Sequence, residues 1–298
     1  HPLFAMASRA SRPAIQRLLH EQAPDLIVSV HPLAQTMTVP ALTRLAEPPP
    51  FATVVTDLIS AHPLWFDPTV RRCYVASKES WDLAQSRGLQ SSQLRQFGLP
   101  IRPEFVAPSP NRTSLRARLG LAPDLPLVLI AGGGDGIGPL EVTAHAVSRA
   151  LAKPGGPRGQ VVVICGHNDG LQQTLTAAHW PLPVRNLGFV DNMAEWMQAA
   201  DCLITKAGPG TIAEAMACGL PLILSSYIPG QEEENVSYVV QNGLGTYQWA
   251  PDAISAQVLA WFGSAKDERI AAGERARRCA HPDAAREIVA DLAGLIKE

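Results

Sequence analysis

The sequence predicts two α/β domains, each built on a parallel sheet, facing a cleft. Three observations lead there. Short apolar runs alternate with amphipathic stretches of helical period, the signature of βα units. The chain has 298 residues, enough for two domains of ordinary size. Hydrophobic residues make up 46% and charged residues 17%, which fills two cores and excludes a disordered chain.

In the first half, an apolar period predicts a helix around Arg12–Gln22. Leu26–Val30 reads as a buried strand, followed by a helix over Leu33–Leu45. Phe51–Thr56, Arg72–Ala76 and Leu94–Phe97 read as the next strands. Pro100, Pro103, Pro108 and Pro110 can continue neither a helix nor a central strand, so the boundary falls there. The domains are then residues 1–108 and 109–298. The second repeats the rhythm more clearly, with strands Leu127–Ala131, Gln160–Cys165, Val184–Leu187, Cys202–Thr205 and Pro221–Leu224. Helices fall near Pro139–Leu151, Met193–Ala199 and Thr211–Cys218. Three more close the chain, over Asp252–Phe262, Lys266–Cys279 and Pro282–Ile296. The sequence opens His1-Pro2-Leu3 without a Met, so the first domain is expected to lack its first βα units.

Charge and cysteine usage exclude several classes. Net charge is −2, with ten basic against eight acidic residues up to Pro108 and fifteen against nineteen after it. No basic face for nucleic acid is expected from that balance. The five cysteines form no CxxC pair, which argues against a disulfide framework or zinc site and for a reducing cytoplasm. They are expected to be small core residues. No apolar run reaches the ~18 residues that span a bilayer.

Three loops carry chemistry. Gly132-Gly133-Gly134-Asp135-Gly136-Ile137-Gly138-Pro139 follows a strand and opens a helix. Its glycines let backbone approach a ligand, and its N–H groups suit an anion. The spacing matches neither GxGxxG nor a P-loop, which disfavours NAD and ATP enzymes. A tight turn with no ligand is the plain alternative. In Thr205–Ala215 a strand ends, Gly208-Pro209-Gly210 turns, and a helix starts near Thr211. The free N–H groups there, with the Thr211 hydroxyl, can hold a diphosphate without a metal. Glu214, about one turn in, can accept both hydroxyls of a ribose; otherwise it is a carboxylate stabilised by the helix dipole. The chain has no Asp-x-Asp clamp for a metal–diphosphate. Pro229–Asn235, after a strand, gathers Gln231 and Glu232, which suit sugar hydroxyls or, equally, a solvated acidic loop.

These loops, together with Val28–Pro32, Val54–Leu58, His62–Phe66 and Gly98–Pro103, resemble the monogalactosyldiacylglycerol synthases. That family stands with the peptidoglycan N-acetylglucosaminyltransferases among GT-B enzymes. The resemblance runs in order from about Pro24 to Phe262 and implies two Rossmann-like domains of GT-B type. It implies a second domain that binds UDP-sugar. Gly133 and Gly134 would lie by the phosphates and Phe189 and Val190 by the uracil. Gly208, Pro209, Gly210 and Thr211 would hold the diphosphate, Glu214 the ribose, and Gln231 with Glu232 the hexose. The first domain would bind diacylglycerol and touch the membrane, with Trp65 and Phe66 as candidates for that face; packing of Trp65 under a loop is the rival reading.

The implied reaction is inverting transfer of galactose from UDP-galactose to 1,2-diacylglycerol, with no metal or other cofactor, at a cytoplasmic membrane surface. Family members draw their base from a Gly-Gly-Gly-His loop, which these residues do not contain; His1 is followed by Pro2 and does not match. His31 and Asp57, at strand ends of the first domain, are the catalytic candidates, with structural hydrogen bonding as the alternative. His167 is a candidate neighbour of the nucleotide. Lys206 is read as a solvated cation, with phosphate pairing as the alternative. UDP-glucose as donor, a UDP-sugar 2-epimerase of the same architecture and a non-catalytic UDP-sugar-binding remnant stay open. The Gly-Ile-Gly-Pro ending of the glycine loop favours galactose.

Overall fold

A computed structural model describes residues 2–107 and 111–296. It divides into two compact units, His1–Pro100 with Asp283–Glu298, and Ile101–Pro282. The expected boundary at Pro108, like His1, lies outside the described residues.

The first unit starts with α1 (Pro2–Gln22), which runs through Pro13 where the apolar period predicts a start near Arg12. Then come β1 (Ile27–Ser29), α2 (Pro32–Leu42), β2 (Phe51–Val54), β3 (Arg72–Val75), α3 (Lys78–Ser86) and β4 (Leu94–Gln96). The four strands pair in parallel in the order β1-β2-β3-β4. Ser77 caps α3 by accepting from the Ser80 amide, which satisfies one of the orphan donors of that helix end. Both faces of the sheet are covered, so Phe51, Ala52, Thr53 and Val54 of β2 are all buried.

The second unit holds α4 (Arg112–Arg118), β5 (Leu127–Ala131), α5 (Leu140–Leu151), β6 (Gln160–Ile164), α6 (Asp169–Ala177) and β7 (Val184–Leu187). It continues with α7 (Met193–Ala199), β8 (Cys202–Lys206), α8 (Pro209–Cys218), β9 (Leu222–Ser226), α9 (Glu233–Gln241) and β10 (Gly245–Tyr247). Helices α10 (Pro251–Phe262) and α11 (Lys266–Cys279) close it. The six strands are parallel in the order β10-β9-β8-β5-β6-β7. Val128, Ile130, Val161, Val163, Cys202 and Ile204 pack with Val147, Ile254, Val258 and Trp261 of α5 and α10. Each such side chain contributes about 1.5–3 kcal/mol by leaving water. Four of the five cysteines are buried, as expected of core residues, and all five are free thiols.

Asp201, just before β8, ties this unit together. Its Oδ2 accepts from the Leu127 amide at 2.7 Å and from Arg116 at 2.5 Å. Its Oδ1 accepts from Arg112 at 3.2 Å and Arg269 at 3.0 Å. The start of β5, α4 and α11 thus share one carboxylate.

Helix α12 (Ala284–Leu295) returns to the first unit, which corrects the expectation that residues 109–298 form one domain. Its apolar face explains the return: Ile288 and Leu295 pack against Ala52, Val54 and Tyr74. Asp291 accepts from Tyr74 Oη at 2.7 Å and pairs with Arg72 at 2.9 Å.

The strand order positions the site. The chain steps outward from β5 to β6 and β7, then crosses back to β8, β9 and β10 on the other side. The direction reverses between β5 and β8. In open parallel sheets ligands bind beyond the carboxyl ends of the strands at that reversal.

Candidate functional site

At this switch point, loops from the carboxyl ends of four strands meet. The loop after β5 carries Gly133 at φ 74°, Gly136 at φ 61° and Gly138 at φ 120°, left-handed conformations that a side chain would strain. It is locked to the loop after β6. The His167 amide donates to Gly134 O at 2.8 Å, and a Cβ on Gly166 would stand 2.1 Å from the same oxygen. The His167 ring in turn stacks on Phe189, beyond β7, with centroids 4.3 Å apart and planes 11° from parallel.

Beyond β8, Gly208 caps α8 without a side-chain hydrogen bond and Pro209 takes the first helical position. Pro has no N–H to lose there, and the amides of Gly210 and Thr211 follow it in the first turn. Asn235 Nδ2 donates to Ala207 O at 3.0 Å and holds the turn from α9.

These loops enclose a cavity of about 420 Å³ lined by Arg102, Ala131, Gly133, Gly134, Ile164, Gly166, Phe189, Val190, Met193, Gly210, Thr211 and Glu214. The volume falls in the range of ligand pockets. One end is apolar and aromatic, with Phe189 60% exposed beside Val190 and Met193. The other presents the first turn of α8. Glu214 stands between; burial pushes its carboxyl up to about 7, against a smaller opposing pull from Arg102.

Seven of the expected donor residues therefore line one cavity: Gly133, Gly134, Phe189, Val190, Gly210, Thr211 and Glu214. Gly208 and Pro209 form the turn that supports it. Gln231 and Glu232 do not line it. Glu232 is 2% exposed; its Oε1 pairs with Lys206 Nζ at 2.5 Å and its Oε2 accepts from the Ile228 amide at 3.0 Å. Neither Lys206 nor Glu232 is the solvated surface group that their neighbours in sequence suggest. Arg102 and Met193 carry no warning in the sequence, because their place depends on chain folding far from the glycine loops.

The candidates of the first unit are placed differently. His31 is the cap of α2: its Nδ1 accepts from the Leu33 amide at 3.2 Å. Asp57 Oδ2 accepts from Trp65 Nε1 at 2.7 Å and from the His62 amide at 3.2 Å, fixing the turn of residues 57–66. Trp65 and Phe66 are 2% and 8% exposed, inside the core with Val39, Phe51 and Val70. Their assignment to a membrane-facing surface is overturned: the indole has its partner in Asp57, and the loop folds inward around it. Gln35 Nε2 donates to Trp65 O at 2.9 Å from below.

Comparisons with known proteins bear on the family and the fold. Residues 2–101 match the monogalactosyldiacylglycerol (MGDG) synthase family model, and residues 127–270 the glycosyltransferase family 28 C-terminal domain. The chain is 46% identical over 299 aligned residues to the probable monogalactosyldiacylglycerol synthase, chloroplastic, of Nicotiana tabacum, covering 99% of this chain and 56% of that protein. Monogalactosyldiacylglycerol synthase 1, chloroplastic, of Arabidopsis thaliana gives the same identity and coverage, 46%, 99% and 56%. The chain thus spans a little over half the length of these relatives. Among solved structures, Acinetobacter baumannii MurG superposes with a TM-score of 0.68 at 14% identity, over 97% of this chain and 80% of that one. The S. aureus MnaA–UDP co-structure does so at 0.70 and 14%, over 99% and 83%. Likeness at such identity shows the fold, that of GT-B glycosyltransferases. With the family match and the identity sustained along the chain, it follows that this chain belongs to the monogalactosyldiacylglycerol synthase family.

Proposed function

We propose that this protein transfers galactose from UDP-galactose to the free hydroxyl of 1,2-diacylglycerol, with inversion at the anomeric carbon. One observation carries the reading: a chain 46% identical over 99% of its length to named monogalactosyldiacylglycerol synthases places a half-apolar, half-polar cavity at the switch point of its second unit. The uracil fits between Phe189 and Val190, the ribose hydroxyls on Glu214, and the diphosphate over the Gly133 loop and the first turn of α8. The acceptor oxygen attacks the anomeric carbon as its bond to the β-phosphate oxygen breaks, and that electron pair leaves with UDP. The hydroxyl proton passes to a general base, a role the family resemblance gives to a histidine of a Gly-Gly-Gly-His loop and not to His31. UDP gains a charge as it departs, so amides already aimed at it lower the barrier more than they tighten substrate binding. The acceptor is a membrane lipid, so the enzyme works at a bilayer surface. Among the described residues no helix is long and apolar enough to cross one.

The test is turnover of the full-length protein with diacylglycerol in mixed micelles, comparing UDP-galactose with UDP-glucose and separating the lipid products. A β-galactosyl lipid as the main product supports the reading; glucosyl transfer as the faster reaction, or epimerised nucleotide sugar without lipid product, overturns it. EDTA is expected to leave turnover within about twofold, because the first turn of α8 offers fixed N–H donors to the diphosphate and the chain has no Asp-x-Asp clamp for a metal.

A further inference from the structure

The first turn of α8 is by itself short of charge for a diphosphate, and Arg102, the cation among the lining residues, acts on Glu214. A helix N-terminus offers roughly half a positive charge, whereas the two phosphates of a nucleoside diphosphate carry at least two negative ones. Lys206, the last residue of β8, is not among the residues that line the cavity but lies behind two of the glycine turns that form it. A Cβ on Gly208 would sit 2.9 Å from its Nζ, and a Cβ on Gly133 would sit 3.8 Å from its Cε. The ammonium therefore rests between the two glycine turns, in space that any larger residue at position 208 would fill. Its side chain is 17% exposed and that of Glu232, its partner at 2.5 Å, is 3% exposed. An ammonium has three donors, and Glu232 Oε1 takes one of them. The other two remain for a phosphate oxygen.

We propose that Lys206 is the cation that meets the donor diphosphate, and that Glu232 is a positioning residue that holds Lys206 rather than a ligand of the hexose. The inference rests on the UDP-sugar reading above and deepens it. Each oxygen of Glu232 already accepts a donor from within the protein, Lys206 on one and the Ile228 amide on the other, and with its side chain 3% exposed little of it is open to a sugar. Breaking the pair with Lys206 strands a buried charge and is strongly unfavourable. The ammonium, by contrast, can keep Glu232 while it accepts a second anion.

The experiment is calorimetric titration of the full-length protein with uridine, UDP and UDP-galactose, in Lys206→Met, Lys206→Arg, Glu232→Gln and the Lys206→Met/Glu232→Gln double variant. Uridine reports the nucleoside end alone. Lys206→Met is expected to lower UDP affinity by about 10- to 100-fold and to leave uridine within twofold, with Lys206→Arg restoring most of the loss. Should Lys206→Met unfold because it strands the Glu232 carboxylate, the double variant carries the same expectation without a buried charge. Glu232→Gln is expected to shift UDP and UDP-galactose by the same factor. Equal loss of uridine and UDP in the Met variants, no loss of either, or a Glu232→Gln effect confined to UDP-galactose overturns the proposal. Failure of the wild-type protein to bind uridine or UDP would instead overturn the donor reading beneath it.

Discussion

At the scale of single residues, Glu214 has the most to report. Its carboxyl is pushed up to about 7 by burial, above an unfolded value near 4.5. The folded state then binds more protons than the unfolded one between those values, so this residue lowers stability as pH rises from about 4.5 through 7. The shift is worth about 3 kcal/mol at most. Glu214→Gln is expected to match wild type near pH 5 and to unfold at higher temperature near pH 8. Ribose hydroxyls donate to the charged form, so uridine, which has no phosphate to titrate, should bind wild type more tightly as pH rises through 7. In Glu214→Gln that dependence should vanish, with affinity at pH 8 lowered by about 1–3 kcal/mol. Titration of both proteins with uridine from pH 5.5 to 8.5 checks it; parallel curves would refute the ribose assignment. The place of Glu214 in the cavity was legible in the sequence because it is local, one turn into a helix whose start the Gly-Pro-Gly turn announces. Glu232 was not, since its partner lies 26 positions away and no periodicity links the two. Trp65 misled for a related reason: an aromatic beside prolines reads as exposed until Asp57 is seen to take its N–H.

Among elements, the cavity depends on loops that are rigid because they interlock. Gly166 at φ 58° lies against Gly134 O, so Gly166→Ala adds left-handed strain to a collision with backbone that cannot swing away. It is expected to destabilise the protein by more than about 1–2 kcal/mol and to weaken UDP binding, because the Gly134 strip must move. Gly210→Ala is the contrasting case. A Cβ there meets nothing within 4 Å, and the position is helical, where Ala is better than Gly by about 1 kcal/mol. Its methyl group faces ligand space, so it should weaken UDP binding while thermal stability holds or rises. Melting curves and UDP titrations of the two variants separate the effects; stability loss in both would contradict the interlock. The central strands of the second unit, β5, β6, β8 and β9, were legible as apolar runs because both sheet faces are buried there. β10 and α9 were not, for β10 is three half-buried residues and α9 follows an acidic loop that reads as solvated.

On the scale of the whole molecule, the last helix belongs to a unit whose other elements end near residue 100. No sequence pattern announces this. Helix α12 is amphipathic, and either sheet offers an apolar face to an amphipathic helix. The choice is made by polar matching over 217 positions: Asp291 meets Tyr74, buried at 1% exposure, and Arg72 beside it. Burial and the Asp291 carboxylate together hold the Tyr74 phenol above its ordinary range, so the hydroxyl stays protonated and donates across the physiological range. Asp291→Ala would leave that hydroxyl without its acceptor and Arg72 without its counter-charge. A loss of about 1–3 kcal/mol is expected for the first unit. Leu292 and Ile288 still hold α12 by apolar contact, so the helix should loosen rather than vanish. The cavity proposed for the donor is lined wholly by residues of the second unit, and UDP affinity should stay within twofold of wild type. Hydrogen exchange resolved along the chain, read together with a UDP titration, checks both halves. Faster exchange confined to β2, β3 and α12 with unchanged UDP binding is the expected pattern. Exchange that quickens equally in β5, β8 and α8 would mean that the carboxylate stabilises both units, and the division of labour drawn from the contacts would fail.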